Sequence, residues 1–301
     1  MNTLKKYLLS LLVLIPSLYA EAKLNIVTTL SDIASITKEV GGENVSVESI
    51  GKGTQDPHFI EAKPSFMTKA SQADLMISMG LGLEVGWLPS IIRGARNPKI
   101  AKSTGVLELG PFLNPIEVPK GEMSRAQGDV HPEGNPHAWL DPIRAASMGE
   151  RIAERLSQLD ESHRKDFEAR AKKLTHRLTE ETKDWKNRIE KSGIKQVITY
   201  HKTLNYFFDR FAIQVAIELE PKPGIPPTSN HIISVIQTVK EKKIDLIMIE
   251  NFYDHTVANR IKQDVASVRI VPVPVSVGGD SDINTLDELY EKLVQVIEGK
   301  K

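Results

Sequence analysis

Apolar positions along this chain follow two rhythms. Short runs rich in β-branched residues read as strands: 23–27, 45–50, which mostly alternates apolar and polar residues, and 73–79. Between and after them, helical spacing predicts segments over 32–40, ended by Gly41-Gly42, from Pro64 onward, and over 87–93. Strand, helix, strand in this order predicts a parallel sheet with helices on its faces.

The middle of the chain changes rhythm. From Pro142 to about Ser192 the sequence is polar, yet Phe167, Ala171, Leu174, Leu178, Trp185 and Ile189 recur every three, four or seven residues. That spacing puts them on one stripe of a helix. A helix of about 30 residues is about 45 Å long, which suits either a rigid spacer between two lobes or one long surface helix. After Gly193 the first rhythm resumes. Nearly continuous apolar runs at 196–200, 244–249 and 268–275 predict buried parallel strands. Helices are expected over 229–240, 256–265 and 285–297. Four prolines and a glycine in 220–227 predict a stiff, extended connection that lines a cleft, meets a partner, or is simply an ordered loop. The predicted fold class is α/β: two parallel-sheet lobes, residues 23–160 and 193–301, joined by a long connecting helix over 161–192.

The first 22 residues read as a cleavable export signal. Lys5 and Lys6 precede an apolar run, Pro16 breaks it, and Ala20-Glu21-Ala22 offers small residues where a signal peptidase cuts. The run is too short to span a bilayer, which takes roughly 20 residues, and no later stretch is longer. The chain contains no cysteine. Disulfides, thiolate metal sites and a cysteine nucleophile are thereby excluded, as is a cysteine-linked lipid. An exported protein with neither lipid nor anchor is expected in a periplasm. Basic and acidic residues balance at 39 each, with no basic stripe to neutralise phosphates, so nucleic acid is not an expected partner.

Candidate chemistry rests on histidine. Of eight, three stand in contexts suited to ligands: His58 in Asp56-Pro57-His58, His137 in Pro136-His137-Ala138-Trp139-Leu140-Asp141-Pro142, and His201 directly after a predicted strand. Ligands of open α/β sheets collect at the carboxyl ends of strands, where His58 and His201 fall. Three imidazoles from distant parts of a chain suit zinc, whereas manganese draws more on carboxylates. No local ligand pair such as H-E-x-x-H is present. Asp56 and Asp141 either orient histidine rings or cap turns and helices. His163 and His176, on the predicted long helix, are expected to face solvent.

These segments resemble the zinc and manganese solute-binding proteins of ABC transporters. Similar proteins share a DPH segment followed by an acidic residue, here Asp56 to His58 with Glu61. They also share a PHxWLDP segment, here 136–142, and a histidine heading a YHK…NYFF stretch, here Tyr200 to Lys202 with 205–208. The resemblance covers essentially the whole chain beyond the signal. It implies two α/β lobes, a rigid connecting helix, a metal in the cleft between them and only small motion on loading. By carry-over His58, His137 and His201 are ligands. Zinc-binding members often carry a histidine-crowded loop before the PHxWLDP segment; residues 117–135 hold only His131, expected to be a plain surface residue. The family's fourth, acidic ligand is assigned to Asp280, which Gly278 and Gly279 let fold inward; Glu61, Glu250 and water are its rivals.

The expected function is periplasmic capture of zinc, ahead of manganese, and delivery to a membrane permease by a monomeric protein that is not an enzyme. Two other readings stand beside it. A zinc hydrolase would use three histidines, a water and Glu61 as base, although no hydrolase motif is present. A metal buffer or adhesion protein would work without a transporter.

Overall fold

The computed structural model describes residues 23–121, 128 and 131–300; the export signal lies outside them. Two four-stranded, all-parallel sheets form the frame. The first comprises β1 (Leu24–Thr28), β2 (Val45–Ser49), β3 (Leu75–Ser78) and β4 (Val106–Glu108), in the order β2-β1-β3-β4. The second comprises β5 (Gln196–Thr199), β6 (Gln214–Glu218), β7 (Leu246–Glu250) and β8 (Arg269–Val273), in the order β6-β5-β7-β8. The order is thus the same in both lobes: the chain starts at an inner strand, adds a neighbour on one side, then crosses to the other. Reversal beside the first strand opens a crevice at the carboxyl ends, where such sheets bind ligands. The central strands are buried on both faces, which explains their unbroken apolar runs.

Helices α1 (Ser31–Gly41), α2 (Pro64–Ser71) and α3 (Leu88–Ala95) flank the first sheet, and α6 (Asn205–Arg210), α7 (Ser229–Lys242), α8 (Thr256–Asp264) and α9 (Leu286–Glu298) the second. Along the chain the two sheets are joined by α4 (Pro142–Leu159) and the 29-residue α5 (Arg164–Ser192). The polar middle segment is therefore two helices. Asp160 ends the first and its carboxylate accepts the His163 backbone N–H at the start of the next turn. All six apolar residues of the predicted stripe are buried, and α5 packs against α4, α1 and α9, touching both lobes.

A seam of buried polar contacts fixes one lobe on the other. The Trp139 indole donates to the Val275 carbonyl at 2.8 Å, and the buried Tyr290 hydroxyl donates to the Trp139 carbonyl. Asp32, fully buried in α1, accepts the Val277 backbone N–H at 2.9 Å. Gly53 lies so close to Val277–Gly279 that a Cβ there would stand 2.3 Å from the Val277 carbonyl oxygen, so this loop contact requires glycine.

Candidate metal centre

Asp56 opens a single 3₁₀ turn over Pro57–Phe59, at the end of the loop that leaves β2. Its Oδ1 accepts the His58 backbone N–H at 3.0 Å and faces His58 Nδ1 at 2.8 Å. Two further bonds hold the turn from either lobe: Trp87 Nε1–H donates to the Pro57 carbonyl at 3.0 Å, and the Tyr253 hydroxyl to Asp56 Oδ2 at 3.1 Å. Asn135 repeats the device. Its Oδ1 accepts the His137 backbone N–H at 3.0 Å and faces His137 Nδ1 at 2.8 Å, while its amide N–H groups donate to the Lys202 carbonyl and to Glu117. Asp56-Pro57-His58 and Asn135-Pro136-His137 are thus the same local structure, an Asx side chain locking the histidine two residues on. His201 follows β5, the strand at the reversal of the second sheet, and its Nδ1 faces Glu220 Oε2 at 2.8 Å. Glu220 is held in turn by the Gly224 backbone N–H.

The consequence is chemical. In all three rings Nδ1 meets an oxygen that can only accept, so Nδ1 carries the proton and Nε2 keeps its lone pair. The three rings face one another with centroids 5.1–5.4 Å apart, and one nitrogen from each lies within 4.8 Å of the others. His137 and His201 are buried, while His58 borders the openings. Three neutral imidazole donors, each backed by an oriented acceptor, fit a zinc ion.

Electrostatics support a neutral His137. Burial, then the neighbouring His58, His201 and His131, hold His137 well below the usual imidazole range. Burial alone would raise Asp56, but its hydrogen bond and charge interaction with His58 outweigh that and hold it below the ordinary carboxylate value. Two small voids flank the cluster: one of about 100 Å³ between His131, His137 and His201, another of about 190 Å³ bordered by His58, His201, Glu220 and Pro226. Pro223, Gly224 and Pro226 border these voids, so the proline-rich 220–227 segment lines the cleft. A groove of about 760 Å³ runs outward past His58, Glu61 and His131.

The structure brings His58, His137 and His201 together but not Asp280. That side chain is exposed and its Oδ1 accepts the Ser281 backbone N–H. The glycines turn the chain outward instead of inward: Gly279 N–H donates to the Ser276 carbonyl, and Asn251 holds the Gly279 carbonyl at 2.6 Å. Glu61 is exposed beside Lys63. Glu250 is fully buried at the end of β7, where burial, reinforced by Glu220 and Asp56, pushes it up to about 8. His131 is no plain surface residue. It is half-buried, its Nε2 stands 3.2 Å from His58 Nε2, and burial with His58 and His201 nearby pushes it down to about 4. Asp141 serves as cap and ion-pair partner, accepting from Ile143 N–H, Arg144 and Arg210. His163 pairs with Asp160 at 2.6 Å. Asn135, Glu220 and Tyr253 were not expected at the site; only Asn135 carried a local signal, its match to Asp56 two residues before a histidine.

The family described as zinc-uptake complex component A, periplasmic, matches residues 26–299. The chain belongs to this family. Among curated relatives, the zinc-binding lipoprotein AdcA of Streptococcus pneumoniae is 29% identical over 249 residues, covering 81% of this chain and 48% of AdcA. This chain therefore spans about half the length of that relative. The manganese ABC transporter substrate-binding lipoprotein PsaA of Streptococcus mitis is 27% identical over 248 residues, 80% of this chain and 77% of PsaA. A crystal structure of ZnuA superposes with a TM-score of 0.75 at 20% identity, covering 92% of this chain and 99% of the other, and shares the two-lobed fold.

Proposed function

We propose that this protein is the periplasmic solute-binding component of an ABC transporter, capturing zinc between its lobes and delivering it to a membrane permease. The observation that carries this reading is the set of three Nδ1 tethers, which aim three neutral Nε2 donors at one point. A nitrogen-only donor set favours zinc over manganese. Its relatives bear the names of zinc- and manganese-binding transporter proteins and not of enzymes, and Glu61, the base a hydrolase would need, faces solvent.

A metal titration of chelator-stripped protein tests the proposal. One tight zinc site per chain is expected, with manganese bound more weakly. His58→Ala, His137→Ala and His201→Ala should each weaken zinc by more than the roughly 10–100-fold typical of losing an outer partner. Unchanged affinity in all three variants would overturn the assignment of ligands.

A further inference from the structure

His131 stands at the edge of the cluster, outside the set of three nitrogens within 4.8 Å of one another, with its ring centroid 5.2 Å from that of His58. The His131 Nδ1 lies 3.2 Å from where a Cβ on Gly82 would stand. Gly82, with φ of 81°, thus leaves room for the ring. The His131 Nε2 faces His58 Nε2 at 3.2 Å. His58 donates its own proton to Asp56, so its Nε2 lone pair faces the His131 nitrogen, and a cation between the two rings can take both nitrogens as donors. The separation also matches a coordination shell: zinc–nitrogen bonds of about 2.0–2.1 Å give a tetrahedral edge of roughly 3.3 Å. Finally, the void of about 100 Å³ beside the cluster is walled by His131, His137 and His201 together.

We propose that His131 is the fourth protein ligand of the zinc site, closing an all-imidazole shell in which no carboxylate takes part. The inference rests on the proposed zinc-binding function and specifies its site. Closing the shell takes the His131 ring into the void it already borders. Four neutral imidazoles leave the full charge of the divalent ion uncompensated by ligands, with Asp56 and Glu220 supplying negative charge one bond further out.

The test compares His131→Ala with Asp280→Asn in the purified protein, using zinc alone as probe. Two readouts are taken: affinity against a competing chelator, and the number of imidazoles around zinc by X-ray absorption. His131→Ala is expected to lower affinity roughly 10- to 100-fold and reduce the count from four to three, with the melting temperature of the metal-free protein retained. Asp280→Asn should change neither readout. A count of three in the unaltered protein, or a zinc shell unchanged by His131→Ala, overturns the proposal. So does loss of an oxygen ligand in Asp280→Asn. Should His58→Ala, His137→Ala and His201→Ala abolish binding while His131→Ala does not, only this assignment fails; should those three also bind normally, the zinc-binding reading itself fails.

Discussion

At the scale of single residues, the nitrogen that an imidazole does not offer decides what it does offer. Glu220 accepts from His201 Nδ1 and from Gly224 N–H, so its replacement disturbs both the tautomer and the loop behind it. Glu220→Gln can rotate an N–H toward Nδ1 and favour the wrong tautomer. Zinc affinity is expected to fall roughly 10–100-fold with one site per chain retained, measured by chelator competition. Asn135→Ala should do the same at His137, since Asn135 Oδ1 is the acceptor that holds that Nδ1. Much of this was legible in the sequence. The paired Asx-Pro-His segments are local, and a proline-stiffened turn places its own partner atoms. Glu220 was not legible as a partner: 19 residues separate it from His201, and only the pairing of β5 with β6 brings them side by side. His131 was hidden for a similar reason, because its neighbours Leu81 and Gly82 belong to the loop after a different strand.

At the scale of elements, the long helix α5 carries two kinds of attachment. Its apolar stripe is buried, with Leu178 fully so. On its polar side Arg177 forks to Glu39 on α1 and to Asp287 on α9, each pair bidentate. Both tie the lobes, but they differ in energy. Leu178→Ala leaves a cavity and should cost about 2–5 kcal/mol. Arg177→Ala removes a part-exposed ion pair that solvent screens, and is expected to cost about 1 kcal/mol or less. Urea unfolding of the two variants checks the order; a larger loss in Arg177→Ala would mean that the network, not the stripe, holds α5 in place. The stripe was readable because its period is helical throughout. The edge strands β4 and β6 were not: β4 has three residues, and neither is buried enough to demand a continuous apolar run. The break between α4 and α5 carries little local signal, since Asp160-Glu161-Ser162 is as polar as the helix surface on either side and contains neither glycine nor proline.

For the whole molecule, the seam between lobes holds a titratable lock. Burial, opposed by the hydrogen bond from Val277, pushes Asp32 up to about 7. In the unfolded chain this carboxyl loses its proton near 3.8, so between those values the folded protein holds one proton more. Stability from this group is therefore full below about pH 4, declines as pH rises, and levels off above about 7. Asp32→Asn keeps an acceptor for Val277 without the charge, and its advantage over the parent should grow across that window to roughly 4 kcal/mol at most, at about 1.36 kcal/mol per pKa unit. Urea unfolding at pH 4.5, 6 and 8 measures it; a constant difference between the two proteins would show that Asp32 does not titrate there.

The helix that touches both lobes has one more effect. Because α5 is a single strut of 29 residues packed against each half, the two halves are braced at a set separation. A filled and an empty molecule then cast nearly the same silhouette, and small-angle scattering should give radii of gyration that agree closely before and after zinc is added. A receiver in the membrane has no change of outline to sense, so the signal that cargo is aboard has to be read at close range, from the few side chains around the mouth of the cleft.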